Sequence, residues 1–277
     1  DMADKEVTEA LCYSMRQTGT RFHLEETIKS VEKAANGEIF VHLNSGKTVV
    51  GDGLLYTVGR QGNTEGLNLE AVGLVPDKRG RIQVDNNFQT AVPHIYAAGD
   101  IIGFPGLAST SMEQGRLASV HMRTAEPTNK MGTSTKGNKM DDPDRLRTRM
   151  RSGEVFPFGI YTVPEISMVG KNEQQLTKES IPYEVGVARY EELAKGQMLG
   201  GVPGFLKIIF CPQTLKVLGV HAIGEGATEI IHIGQVVMST GGTIEYFRNA
   251  VFNYPTLAEA YRVAALNGLR KVEHLRD

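Results

Sequence analysis

The chain has 277 residues, 40% of them hydrophobic and 22% charged, with a net charge of −2. This is the composition of a globular protein long enough for about two domains, and it disfavours a basic nucleic-acid binder. No run approaches the ~18 apolar residues of a membrane span, and two cysteines, Cys12 and Cys211, allow neither a disulfide framework nor a zinc module. A reducing, cytoplasmic setting is expected. The chain opens on Asp1 without a signal-peptide pattern, in what reads as the middle of a helix, so it is expected to be part of something longer.

Val7, Leu11 and Met15 recur at helical spacing and predict a helix over 4–17, ended by Gly19. A short strand is expected over 21–23. Residues 27–33 lead to a turn at Asn36-Gly37, and 38–43 and 47–50 read as strands joined at Asn44-Ser45-Gly46, a meander. The apolar run 53–58 predicts a buried strand stopping at Gly59-Arg60. Then come a short helix over 67–72, a strand at 83–84, an apolar strand over 95–98 and, past a Gly/Pro loop, a helix from 109 to about 122.

Residues 124–153 carry few aliphatics and read as a linker or mobile loop, with Arg145, Arg147, Arg149 and Arg151 on a solvated basic stretch or, as the alternative, at a phosphate or partner contact. Beyond them, strands are expected over 160–163, 166–169, 183–189, 205–210 and 217–222. Helices are expected over 172–179, 225–240, 243–249 and 256–272. Consecutive strands followed by helices argue for an α+β module.

Ala97-Ala98-Gly99-Asp100 is the most informative motif. A carboxylate at a strand's carboxyl end can accept a ribose hydroxyl, and the helix starting near Leu107 offers free N–H groups. The plainer reading is an Asp that caps the next turn. Gly59-Arg60 also follows an apolar run. There, glycine permits close backbone approach and Arg60 can meet phosphate, or the pair is a turn with a surface arginine. Gly224-Glu225-Gly226 is a tight turn, since Glu229 stands where a dinucleotide fingerprint needs a small residue. No GxGxxG occurs in the chain. His121, His221 and His232 lack partners at ligand spacing and read as packing or surface groups, so no metal site is expected. Thr256 and Glu259 have the spacing of a capping box.

Taken in order, Gly59-Arg60-x-x-Asn63-Thr64, Pro93-His94-Ile95-Tyr96-Ala97-Ala98-Gly99-Asp100, Leu107-Ala108, Tyr161-Thr162-x-Pro164-Glu165 and Tyr254-Pro255-Thr256 with Glu259 resemble the flavoprotein disulfide reductase family. The resemblance covers nearly the whole chain outside 124–153. Relatives using a dithiol place a histidine before the Pro-Thr, where this chain has Tyr254. A phenol with a pKa near ~10 is a poor base at neutral pH, which argues for hydride transfer alone.

The resemblance implies α/β and α+β architecture, with partial Rossmann-like FAD and NAD(P) domains followed by an α+β dimerisation domain. It divides the chain into the late part of an NAD(P) domain (1–58), the returning part of an FAD domain (59–123), a linker (124–153) and the dimerisation domain (154–277). It implies FAD-dependent hydride transfer between NADPH and NAD in a homodimer, with no nucleic-acid or membrane partner. Asp100, Leu107 and Ala108 would contact FAD, Gly59 and Arg60 would lie near the nicotinamide cofactor, and Tyr254 with Glu259 would form the catalytic end of the partner's site. Neither fingerprint of the family is in this chain, so alone it is expected to be inactive. A dihydrolipoamide dehydrogenase-like oxidoreductase and a non-catalytic dimerisation module are the alternatives.

Overall fold

The computed structural model describes residues 3–103, 105–124, 156–201 and 203–273. Helix α1 (Lys5–Gln17) starts where Asp4 accepts the Glu6 amide at 3.1 Å, an N-cap for one of the helix's free N–H groups. Strand β1 (Ile28–Lys33), where the sequence reads only as a lead into the turn, joins the expected hairpin of β2 (Ile39–Leu43) and β3 (Thr48–Gly51) in an antiparallel meander. Only Leu43 of its residues is buried, so neither face carries a packed layer among the described residues.

The run 53–58 forms no strand. Leu55, Tyr56 and Val58 are 86%, 71% and 71% exposed. A strand needs a neighbour for its N–H and C=O groups, and no described residue pairs with this run. The expected strands at 21–23 and 83–84 are likewise irregular, and 95–98 is reduced to one bridge between Gln89 and Tyr96. The helix expected over 67–72 is a pair of 3-10 turns, Glu65–Leu67 and Leu69–Val72. Helix α2 (Ala108–Thr124) is longer than expected. The linker reading, apart from Thr124 at the end of α2, lies outside the described residues, as do its four arginines.

The C-terminal part contains β4 (Phe158–Ile160), β5 (Ile166–Gly170), α3 (Glu173–Lys178), β6 (Glu184–Arg189), α4 (Ala194–Met198), β7 (Phe205–Phe210), β8 (Val217–Ile223), α5 (Ala227–Ser239), α6 (Ile244–Asn249) and α7 (Ala260–Val272). Its five strands make one antiparallel sheet in the order β4-β5-β8-β7-β6. Strand β4 ends at Ile160, three residues short of the expected limit, and Tyr161 and Val163 turn out to solvent at 83% and 89% exposure. Helix α4 is absent from the sequence reading.

The period of two along β7 and β8 divides the sheet into two faces. Leu206, Ile208 and Phe210, with Val220 opposite Ile208, pack with Ile231, Ile244, Phe247, Tyr261 and Leu269 of the helices α5, α6 and α7. The Tyr261 hydroxyl donates to Ile230 O at 2.9 Å and accepts from Gly234 N at 3.0 Å, tying α7 to α5. Gly234 is required by this approach: a Cβ there would stand 2.8 Å from Val220 Cγ2 and 2.9 Å from the Tyr261 hydroxyl. Burial pushes the Tyr261 phenol up, so it stays a donor.

On the other face Phe205 lies opposite Ile223, and Lys207 lies opposite His221. Val7 of α1 packs there with Ile166 and Ile223. Lys207 is fully buried, and its Nζ donates to Asp4 Oδ1 at 2.9 Å, to Glu6 Oε2 at 2.9 Å and to Glu173 Oε1. Burial pushes the ammonium pKa down, but the bonds to Glu173, Asp4 and Glu6 outweigh it and leave the group raised. Asp4 is lowered: burial opposes its charge, and the Lys207 bond overcomes that. His221 is lowered by burial, and its Nε2 lies 3.1 Å from Lys171 O, so the neutral ring is read as protonated on Nε2.

Two outcomes follow. Replacing Tyr261 by Phe removes both hydroxyl bonds and should lower the free energy of urea unfolding by about 1–3 kcal/mol. His221, depressed in the fold, favours the native state above the ordinary histidine value, and this contribution is lost as the unfolded chain takes up a proton below pH ~6.5. Asp4, also depressed, loses its contribution only at more acid pH. Urea midpoints should therefore fall between pH 7.5 and 5.5, and His221→Asn should flatten that segment of the profile while leaving the more acid loss in place.

Candidate functional site

A cavity of about 1310 Å³ opens between three loops of the first half of the chain, lined by Tyr56, Gly59, Arg60, Arg79, Arg81 and Asp100 among others. Backbone contacts hold the first two loops together. Gly62 N donates to Arg79 O at 2.7 Å, and in the turn at Asp77 the carboxylate accepts the amides of Arg79 and Arg81 at 2.7 and 2.9 Å. The amides of Arg81 and Arg79 hold the Asp77 carboxyl below its usual range. Gly62 and Gly80 touch backbone to backbone: a Cβ on Gly62 would stand 2.0 Å from Gly80 O. Thr64, which is buried, donates its hydroxyl to the same Gly80 O at 3.1 Å.

The third loop is held from both sides. Ile82 N donates to Ile101 O at 2.9 Å, joining it to the arginine-bearing turn. Gly99 N donates to the buried Gln114 Oε1 of α2 at 2.7 Å. Asp100 therefore sits on a 3-10 turn, Gly99–Ile102, anchored to the helix that follows. Its Oδ2 lies 2.8 Å from Arg60 Nη1. Both groups reach solvent, with the side chains of Arg60 and Asp100 84% and 43% exposed, so the pair contributes little stability and is free to exchange partners. Three guanidinium groups against one carboxylate suit an anionic ligand carrying hydroxyls.

Residues 1–115 match the family model described as pyridine nucleotide-disulphide oxidoreductase, and residues 156–265 match the dimerisation domain of the same group. The chain belongs to the pyridine nucleotide-disulphide oxidoreductase family. Its whole length is 47% identical to a soluble pyridine nucleotide transhydrogenase of Mycobacterium tuberculosis, and 97% of it is 47% identical to one of Vibrio vulnificus. It spans 54% of each of these relatives. Among solved structures, LpdA of Mycobacterium tuberculosis aligns with a TM-score of 0.77 at 25% identity, over 96% of this chain and 53% of that one. The flavoprotein disulfide reductase RclA of Escherichia coli aligns with a TM-score of 0.79 at 21% identity, over 95% of this chain and 55% of that one, which speaks to fold alone.

Of the residues singled out in the sequence, Gly59, Arg60 and Asp100 share the cavity. Leu107 caps α2 with its carbonyl, accepting the Ser111 amide at 2.9 Å and the Thr110 hydroxyl at 2.9 Å, and Ala108 is the first helical residue. Neither lines the cavity, although Pro105 and Gly106 beside them do. Tyr254 is 72% exposed and Glu259 is half-buried, both on the C-terminal part and outside the cavity lining. The capping box does not form. Thr256 donates its hydroxyl back to Asn253 O at 2.7 Å, Leu257–Glu259 is a 3-10 turn, and α7 starts at Ala260. The backbone turn at 253–256 takes the threonine hydroxyl before the helix can use it.

Arg79 and Arg81 were missed by sequence reasoning. The signal was present in Asp77-Lys78-Arg79-Gly80-Arg81, a charged turn, but nothing local says that it lies against Gly62. The close approach gives a test. Gly62→Ala should part the two loops and lower the stability by about 1–3 kcal/mol in calorimetry. Gly66→Ala, where a Cβ meets nothing within 4 Å, should leave the midpoint unchanged.

Proposed function

We propose that this chain forms the C-terminal half of a flavin-dependent transhydrogenase that moves hydride between NADPH and NAD. The observation that carries the reading is the cavity: Asp100 next to a helix N-terminus, with Arg60, Arg79 and Arg81 around it, is a donor set fit for a sugar and its pyrophosphate. The names of the relatives at 47% identity support the same reading.

In this proposal Asp100 accepts ribose or ribitol hydroxyls of FAD, and Arg60 leaves Asp100 to meet phosphate or the nicotinamide cofactor. The amides at the start of α2, at Leu107 and Ala108, face the electron-rich edge of the flavin ring. Flavin, when bound, supplies the hydride-accepting centre. The chain's own task is to bind, orient and neutralise charge. We assign residues 1–58 to the NAD(P) segment, 59–123 to the FAD segment and 154–277 to the dimerisation domain, with 124–153 between them. Tyr161, Val163, Val236, Tyr246, Val251 and Tyr254 leave apolar surface open on the C-terminal part, which supports a homodimer. Tyr254 and Glu259 would then complete the partner's site. A cytoplasmic enzyme is part of the same reading. No helix among the described residues is long and apolar enough to cross a membrane.

The test grafts this chain onto the N-terminal half of the Vibrio vulnificus relative. The chimera should elute as a dimer, retain visible flavin absorbance after gel filtration, and reduce an NAD analogue with NADPH. Asp100→Ala should lose most of the flavin. A folded, flavin-bearing chimera that moves no hydride between nucleotides but reduces lipoamide would replace this reading by the dihydrolipoamide dehydrogenase-like one.

A further inference from the structure

The match to the nucleotide-binding family model runs through residues 1–115, yet α1 inside it packs on the sheet of the C-terminal part. Val7 is buried there with Ile166 and Ile223, and Ala10 and Leu11 pack against the same cluster. The ion cluster joins three elements of this face: Asp4 and Glu6 at the start of α1, Glu173 of α3, and Lys207 in the middle of β7. The ligand oxygens of the three acids lie within 4.8 Å of one another, and the Lys207 ammonium sits among them, in the space a metal ion would take.

The far end of α1 is held differently. Ser14 and Thr18 line a cavity of about 450 Å³ whose other wall is Tyr161, Thr162, Glu165 and Glu225 of the C-terminal part. The helix is thus clamped by ions and apolar packing over its first two turns and stands off over its last. Residues 18–27 then lead, without regular structure, to the exposed meander.

We infer that α1 belongs mechanically to the C-terminal unit, and that Lys207 is the positioning residue that pins it. The pivot of the molecule then lies at 18–27, between α1 and β1, and the nucleotide-binding segment is oriented against the C-terminal domain through α1. The physical basis is the cost of leaving buried charge uncompensated. Without Lys207, three crowded carboxylates repel and Asp4 is buried without its counter-ion, and releasing α1 to solvent is the relief open to them. This inference concerns docking of a helix, so it stands or falls apart from the hydride-transfer reading.

The test is hydrogen exchange followed by mass spectrometry on the full chain and on Lys207→Met and Asp4→Asn. In the parent, amides of 5–17 should exchange as slowly as those of 205–210 and 217–223, and more slowly than those of 28–51. Lys207→Met should speed α1 at least tenfold while β7 and β8 stay slow, and alkylation of Cys12 on α1 should accelerate in step. Asp4→Asn, which alters only the α1 side of the cluster, should act in the same direction and decides the matter if the lysine variant does not fold. The inference is overturned if parental α1 exchanges with the meander. It is equally overturned if α1 is unmoved in the folded variants, or if β7 and β8 loosen together with it.

Discussion

One ammonium group sets the terms for the C-terminal half of this molecule. Lys207 lies in the middle of β7, a strand buried on both faces, and it is tolerable there because three carboxylates converge on it from two other elements. Its strand neighbours Leu206 and Ile208 point the opposite way into the main core. The period of the strand therefore forces a division of labour. One face closes by apolar packing under α5, α6 and α7, and the other closes by ions and a small apolar cluster under α1. Such an ion cluster is weak evidence of stability but constrains arrangement strongly, since few geometries satisfy all four groups.

The candidate site obeys a different economy. Its loops have little regular structure, so they are held by single backbone hydrogen bonds and by the contact of Gly62 with Gly80. Its charges are exposed and mutually paired, as with Arg60 and Asp100. That is the arrangement expected of groups that must change partners when a charged ligand arrives. The wall at 54–58 is apolar and open to solvent.

Much of this was legible in order along the chain. The helix at 4–17, the meander and the later strands carry local periodicity, and periodicity survives in any context. The motif around Asp100 and its pairing with a helix start could also be read, because a glycine, an acid and a helix cap lie within about ten residues. The expectations that failed depend on neighbours. The strand at 53–58 had the right side chains and lacked a partner for its backbone, and Thr256 had the right spacing but spent its hydroxyl on Asn253.

By itself the sequence determined the order of elements, the family resemblance and the chemistry available at Gly59, Arg60 and Asp100. The tertiary structure alone decided which charges meet. Nothing local to Phe205–Phe210 marks Lys207 as buried, and only the packing of α1 over that side makes it a buried pin. Arg79 and Arg81 stand in a charged stretch that nothing local assigns to a site, and only the approach of Gly80 to Gly62 brings them to Asp100's cavity. Local pattern is written in spacing along the chain, whereas the pairing of charges depends on contacts as far apart as Asp4 and Lys207, which spacing does not encode.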